Sequence, residues 1–163
     1  MMQQNLSYEW NVWVYQEPNN WSKNNLKIIR KINTVEDFMQ FDKYLRLNSD
    51  QILDKHIFIM KNDIVPLWEE KENIKGGCWT FKTSIYNSLE YFLHIFLLII
   101  SNNFIEDPLL NKKINGITFC IKNNNNCIIQ VWNNSYDKLI NIKHHYYVRE
   151  NFGCNIIYKK HIR

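Results

Sequence analysis

Over residues 8–15 the side chains alternate: Tyr8, Trp10, Val12 and Val14 fall on one face of an extended segment, Trp13 and Tyr15 on the other. A period of two built from aromatic and β-branched residues reads as a strand. Residues 26–32, 56–60, 78–84, 116–122, 127–132 and 154–160 read as further strands. The tetra-Asn turn at 123–126 joins the fifth and sixth strands of the chain as a hairpin. Thr34, with Asp37 three residues on, caps a helix in which Val35, Phe38, Met39, Phe41 and Leu45 repeat at helical spacing. Residues 85–103 form the longest helix, apolar at Leu89, Phe92, Leu93, Phe96 and Ile100, and residues 136–151 suit a third. No repeat period and no long internal linker divides the 163 residues. The expectation is one α+β domain over 1–163 with a short polar segment at 1–7. Its sheet is mostly antiparallel, with three helices covering one face.

Composition narrows the chemistry. The apolar fraction is 45% and the aromatic fraction 15%, enough for a packed core. A net charge of +4 suits an anionic partner without demanding one. The chain has 24 Asn, 23 Ile and 16 Lys but no Ala, the codon preference of an AT-rich genome such as that of a protist or large DNA virus. Much surface polarity is then Asn by default, so Asn alone does not mark a site. The apolar run at 89–100 is interrupted by Glu90 and His94 and is too short to span a bilayer. Residues 1–7 lack the pattern of a signal peptide, so a cytoplasmic protein away from membranes is expected. Cys78, Cys120, Cys127 and Cys154 show no CxxC spacing and no paired His, so reduced thiols are expected and no metal or other cofactor.

Two tryptophans stand in polar loops, Trp21 within 16–25 and Trp68 within 61–77. A loop Trp commonly plugs a core, but two parallel indoles can clamp a flat ring and favour a cationic one. Glu69 adjoins Trp68, and a carboxylate there can accept both N–H donors of a guanine edge. Substitution of its neighbour Glu70 by Ala is expected to be nearly silent. Lys122 ends a strand before a loop, where an ammonium can reach a phosphate. A thiol enzyme using Cys78 or Cys120 near His94 or His144 is a rival, but it needs an electropositive neighbour to lower the thiol pKa. A general single-strand binder is another.

The blocks W-N-V-W-V-Y, N-N-W-S-K-N-N-L, T-V-E-D-F, D-I-V-P-L-W-E-E, N-I-K-G-G-C-W and I-I-Q-V-W, in this order, resemble translation initiation factor 4E, the mRNA cap-binding family. The resemblance runs from about Trp10 to Tyr158. It implies a curved sheet with three long helices on its convex back and a cap slot on the concave front. By position it implies that Trp21 and Trp68 sandwich 7-methylguanine and that Glu69 takes the guanine edge. Trp132 would pack against the N7-methyl group and Lys122 would contact the phosphate bridge. Capped mRNA is the implied ligand, recruited for translation initiation by a protein that is not an enzyme. A scaffold or inhibitor helix is the implied partner, docking on the back near Val35, Met39, Leu93 and His94.

The departures from that pattern are specific. Cys78 stands where the family carries an arginine, and Cys120 where a polar residue is usual. The loop after Lys122 offers asparagines in place of further lysines. The phosphate grip has therefore lost most of its charge, unless Lys75, Lys159, Lys160 or Arg163 reaches in. On the back, Met39 replaces a Trp and His94 a Glu, which keeps open a cap-binding repressor that does not recruit the usual scaffold.

Overall fold

The computed structural model describes residues 4–17, 19–52, 56–122, 125–136, 142, 146–152 and 155–162. Seven strands form one sheet: β1 (Asn5–Tyr15), β2 (Leu26–Thr34), β3 (Ile57–Lys61), β4 (Gly77–Ser84), β5 (Ile114–Lys122), β6 (Asn126–Asn133) and β7 (Ile156–Lys160). Their order across the sheet is β2-β1-β3-β5-β6-β4-β7, and every neighbouring pair is antiparallel. The helices are α1 (Val35–Leu47), α2 (Ser49–Ile52), α3 (Ile85–Ile100), α4 (Pro108–Asn111) and α5 (Tyr146–Phe152). The fold is α+β, a curved antiparallel sheet with helices, as the residues and the resemblance imply.

Strand parity divides the molecule. Trp10 and Val12 of β1, Ile57 and Ile59 of β3, and Trp79 and Phe81 of β4 join Phe92, Ile95 and Phe96 of α3 in the main core. The opposite parity faces away from the helices, where Trp13 and Tyr15 flank a smaller cluster of Phe58, Met60, Cys78 and Trp132. The two faces anticipated for residues 8–15 are the two faces of the sheet. A one-residue slip of any strand would exchange core for open surface.

The first helix begins as its sequence dictates. Thr34 accepts from the Asp37 N–H at 3.1 Å, and the Asp37 carboxylate accepts from the Thr34 N–H at 3.0 Å. Those bonds hold the Asp37 carboxyl below the usual carboxylate range, the Asn33 backbone N–H contributing most. The third helix differs from expectation. Tyr136 lies outside any helix, its N–H bonded to the Lys75 carbonyl, and α5 starts at Tyr146. Residues 137–141 and 143–145, including His144, lie outside the described residues, as do Cys154 and Arg163.

Candidate functional site

The loop between β1 and β2 carries Trp21 and is braced from inside by Asn25. The Asn25 side chain is buried; its amide donates to the carbonyls of Glu17 at 2.9 Å and Asn20 at 2.7 Å, and its oxygen accepts from the Glu17 N–H at 3.0 Å. The bend at Asn19 takes φ 63°, a left-handed conformation that Asn tolerates better than most residues. So braced, the loop leaves Trp21 58% exposed. The indole is held at its edges. Tyr15 meets it at 5.0 Å and His56 at 5.6 Å, both nearly perpendicular. Phe58 closes the ring of aromatics, edge-on to Tyr15 at 5.7 Å and stacked on His56 at 4.4 Å.

The loop between β3 and β4 carries Trp68 and has its own buried asparagine. Asn73 donates to the carbonyls of Val65 at 3.0 Å and Leu67 at 2.8 Å. Its oxygen accepts from Asn115 at 2.9 Å, and its carbonyl meets the His161 ring at 2.8 Å. A Cβ at Gly76 would collide with the Asn133 carbonyl oxygen, so only glycine lets the loop return to the sheet this closely. Trp68 stands at the tip, 54% exposed. Among the described residues no group accepts its backbone N–H and no cation pairs with Glu69. Glu70 is different: it binds Lys23 Nζ at 2.5 Å and so joins the two tryptophan loops.

These loops stand at the rim of the open sheet face. Tyr15, edge-on to Trp21, has its hydroxyl pKa raised by burial and, after that, by the Glu69 charge. Trp132 lies in the floor, 7% exposed, beside Phe58, Met60 and Cys78, with the His161 ring 4.9 Å away. Its indole N–H is buried without a partner among the described residues, as are the Trp13 N–H and the Thr118 hydroxyl. Buried donors left unpaired each cost about 1–3 kcal/mol, and these three share this face with the His56 ring, whose two nitrogens are also unpartnered among the described residues. Lys122 is exposed at the end of β5, and its charge reaches His56. Burial first, and Lys122 second, depress the His56 pKa to about 4, so this imidazole is neutral at pH 7.

Cys78 and Cys120 share the open face with a polar shelf: Gln130 Nε2 lies 3.4 Å from Cys78 Sγ and 3.3 Å from Thr80 Oγ1. Burial raises the Cys78 pKa, which disfavours the thiolate. His94 is on α3, against the other side of the sheet, where its ring stacks on Tyr147 at 3.7 Å. The sheet separates it from both thiols, so the His94 pairing of the thiol-enzyme reading does not form. Among the described residues no three His, Cys, Asp or Glu side chains are grouped to hold a metal.

On the helix side, Val35 lines a groove of about 340 Å³ with Phe38, Leu97 and Ile100. Met39 is 63% exposed beside it. Leu93 is 2% exposed, in the core, and Leu97, one turn on, is exposed. Residues 15, 56 and 58 and the two bracing asparagines are site components that the sequence reading passed over. Their signal was parity, since Tyr15 and Phe58 fall opposite the core residues of their own strands.

Residues 5–161 match the family model described as eukaryotic initiation factor 4E. The chain belongs to the eukaryotic initiation factor 4E family. Among curated relatives, eukaryotic translation initiation factor 4E type 1B of Mus musculus is 31% identical over 109 residues, 62% of this chain and 43% of the relative. Eukaryotic translation initiation factor 4E of Saccharomyces cerevisiae is 28% identical over 140 residues, 82% of this chain and 63% of the relative. The matches thus cover about half the length of these initiation factor 4E relatives. Among solved structures, C. elegans eIF4E-3 in complex with the 4E-binding protein Mextli and a cap analog superposes with a TM-score of 0.80 at 19% identity, covering 98% of this chain and 94% of that one. Ascaris suum eIF4E-3 with m7G cap gives a TM-score of 0.71 at 23% identity, covering 84% and 77%. At these identities the structures establish the initiation factor 4E fold.

Proposed function

We propose that this chain binds the 7-methylguanosine cap of mRNA, clamping the methylated base between Trp21 and Trp68, and so recruits mRNA to translation initiation. The observation that carries the reading is the pair of half-exposed indoles on two braced loops joined by Lys23 and Glu70. Beside one of them, the Glu69 carboxylate and the Trp68 backbone N–H have no partner among the described residues. Methylation at N7 places a positive charge on the base, and a cationic ring gains most from two indole faces. Glu69 accepts the donors of the guanine edge, Trp132 lies below the methyl group, and Lys122 meets the phosphate bridge. The chain is a binding module, not an enzyme, and acts in the cytoplasm. Among the described residues no helix is long and apolar enough to cross a membrane.

Tryptophan fluorescence titration with methylated and unmethylated cap analogues tests this. The methylated form is preferred, and Trp21→Ala or Trp68→Ala each costs about 1–3 kcal/mol of binding. Equal affinity for the two analogues would overturn the assignment and point to general single-strand binding.

On the back, a scaffold or inhibitor helix docks along the groove of Val35 and Leu97 toward Met39. One observation favours a second reading, a cap-binding repressor that does not recruit the usual scaffold. Leu93 is buried and His94 is stacked on Tyr147, so two of the four contact positions are engaged by the protein itself. Capture of capped RNA without an initiation scaffold supports the repressor; co-capture of the scaffold removes it.

A further inference from the structure

The family's phosphate grip has lost its arginine at Cys78, and strand register shows what faces that position. Cys78 of β4 lies opposite Trp132 of β6 on one side and Lys159 of β7 on the other. Paired residues of antiparallel strands share a face, so Lys159, Cys78 and Trp132 form one row on the open side. The Lys159 charge acts on the Cys78 thiol, consistent with that placement. Lys160 points the other way. It pairs with Gly77, and its ammonium lies 3.7 Å from the Tyr136 ring, next to Tyr158 on the helix side. Lys82 has the parity of Cys78 and Thr80 and pairs with Ile128, which pairs with Cys120. Lys122 has the parity of Thr118 and Cys120 on β5.

Lys82, Lys122 and Lys159 are exposed, and none has a carboxylate partner among the described residues. They come from three strands and surround the neutral shelf of Cys78, Thr80 and Gln130. Strands lie ~4.8 Å apart and two residues advance ~6.7 Å along a strand, so Lys82 and Lys159 are ~14 Å apart at the backbone. Flexible lysine stems narrow that span. Uncompensated ammonium groups around a hydrogen-bonding surface suit a linear polyanion, each as a point charge.

We infer that Lys82, Lys159 and Lys122 ring the Gln130–Thr80–Cys78 shelf as the phosphate-binding site of this chain, taking the triphosphate bridge and the first phosphodiesters of a capped RNA. This inference rests on the cap-binding reading and extends it, because two of the three charges sit outside the family positions. Of the four basic residues weighed from the sequence as substitutes for the lost charge, it selects Lys159, and it adds Lys82.

The test is fluorescence titration of the full chain at several salt concentrations with three probes: 7-methylguanosine, its cap triphosphate analogue, and a short capped oligonucleotide. Each neutralised single-strand phosphate contributes roughly 0.7 to the log–log salt slope. The nucleoside gives no slope, and the capped oligonucleotide gives a slope of roughly 2. Lys82→Ala and Lys159→Ala each lower it by roughly 0.7 and weaken oligonucleotide binding several-fold, leaving the nucleoside unchanged. Lys159→Arg preserves the slope. Lys160→Ala leaves all three probes unaffected. A wild-type slope of roughly 0.7 or less, or full slope retained in Lys82→Ala and Lys159→Ala, would overturn the inference. Failure of the cap reading shows separately, as equal binding of methylated and unmethylated nucleosides.

Discussion

Lys23 Nζ stands 2.5 Å from Glu70 Oε1, an ion pair between residues 47 positions apart on the two loops that present the tryptophans. Lys23 is 58% exposed at its side chain, so the pair adds little to overall stability, about 0–1 kcal/mol. Its effect is on geometry. We expect Lys23→Ala and Glu70→Ala each to speed cap dissociation about 2–5-fold, since an ion pair of this worth changes a rate by that order. The double variant is expected to be no faster, and the exchanged pair Lys23→Glu with Glu70→Lys to recover most of the loss. Stopped-flow dissociation decides this; additive single effects would show that the residues act apart.

Glu69, one residue earlier, has no such partner among the described residues. Glu69→Ala is expected to weaken cap binding by about 1.5–3 kcal/mol, the range for hydrogen bonds to a charged group. Glu69→Gln should lose nearly as much, because its amide presents a donor to a donor edge. Calorimetric titration of both variants beside Glu70→Ala measures the contrast, and a larger loss at Glu70 would reverse the assignment of the two carboxylates.

His56 gives a pH signature. Its pKa is about 4 in the fold against an ordinary 6.5, so as pH falls the unfolded chain takes the proton first. The stabilisation is complete above pH 6.5 and is lost between pH 6.5 and 4. At about 1.4 kcal/mol per pKa unit, its full size is about 3 kcal/mol. The His161 pKa, lowered by burial against the opposing effect of its ring's hydrogen bond to the Asn73 carbonyl, adds in the same direction. Thermal midpoints at pH 7.5, 6 and 5 should therefore fall less in His56→Phe than in the unmodified chain. Parallel falls would mean that His56 titrates normally.

Asn73 is predicted to matter to both stability and binding. Asn73→Ala takes one of two hydrogen bonds from each of the part-buried carbonyls of Val65 and Leu67 and from the Asn115 amide, at about 1–3 kcal/mol in all. The expected result is a lower denaturation midpoint together with weaker cap quenching. Asn24→Ala, an exposed neighbour of Asn25, should leave both unchanged. An unaltered midpoint for Asn73→Ala would remove the bracing role.

Most of the fold was legible because strand parity and helix caps are local. The alternation of residues 8–15 and the Thr34–Asp37 box each encode their outcome within a few positions. The tryptophan loops were legible as loops, since Trp21 and Trp68 stand among polar residues. What escaped was whatever depends on pairing at long range. Lys159 becomes an open-face neighbour of Cys78 only through the β4–β7 register, and Lys160 is turned away by the same register. The asparagines escaped for another reason: an abundant residue carries little signal. Yet Asn25, Asn73, Asn115 and Asn133 are buried and bonded, and Asn19, Asn62, Asn102 and Asn125 take the left-handed bends.

That dependence exposes the slot to slow chemistry. An asparagine amide hydrolyses with age to a carboxylate, which only accepts hydrogen bonds. At Asn73 the product would set a negative oxygen against the carbonyls of Val65 and Leu67, where the amide now donates. At Asn25 it would do the same against Glu17 and Asn20. Asn115, followed by the unhindered Gly116, supports the Trp68 loop through a third amide of this kind. A molecule could thus keep its sheet, its core and every aromatic ring while deamidation at one of three positions loosens the indole that the amide holds in place. Old protein would lose its ligand before it lost its fold.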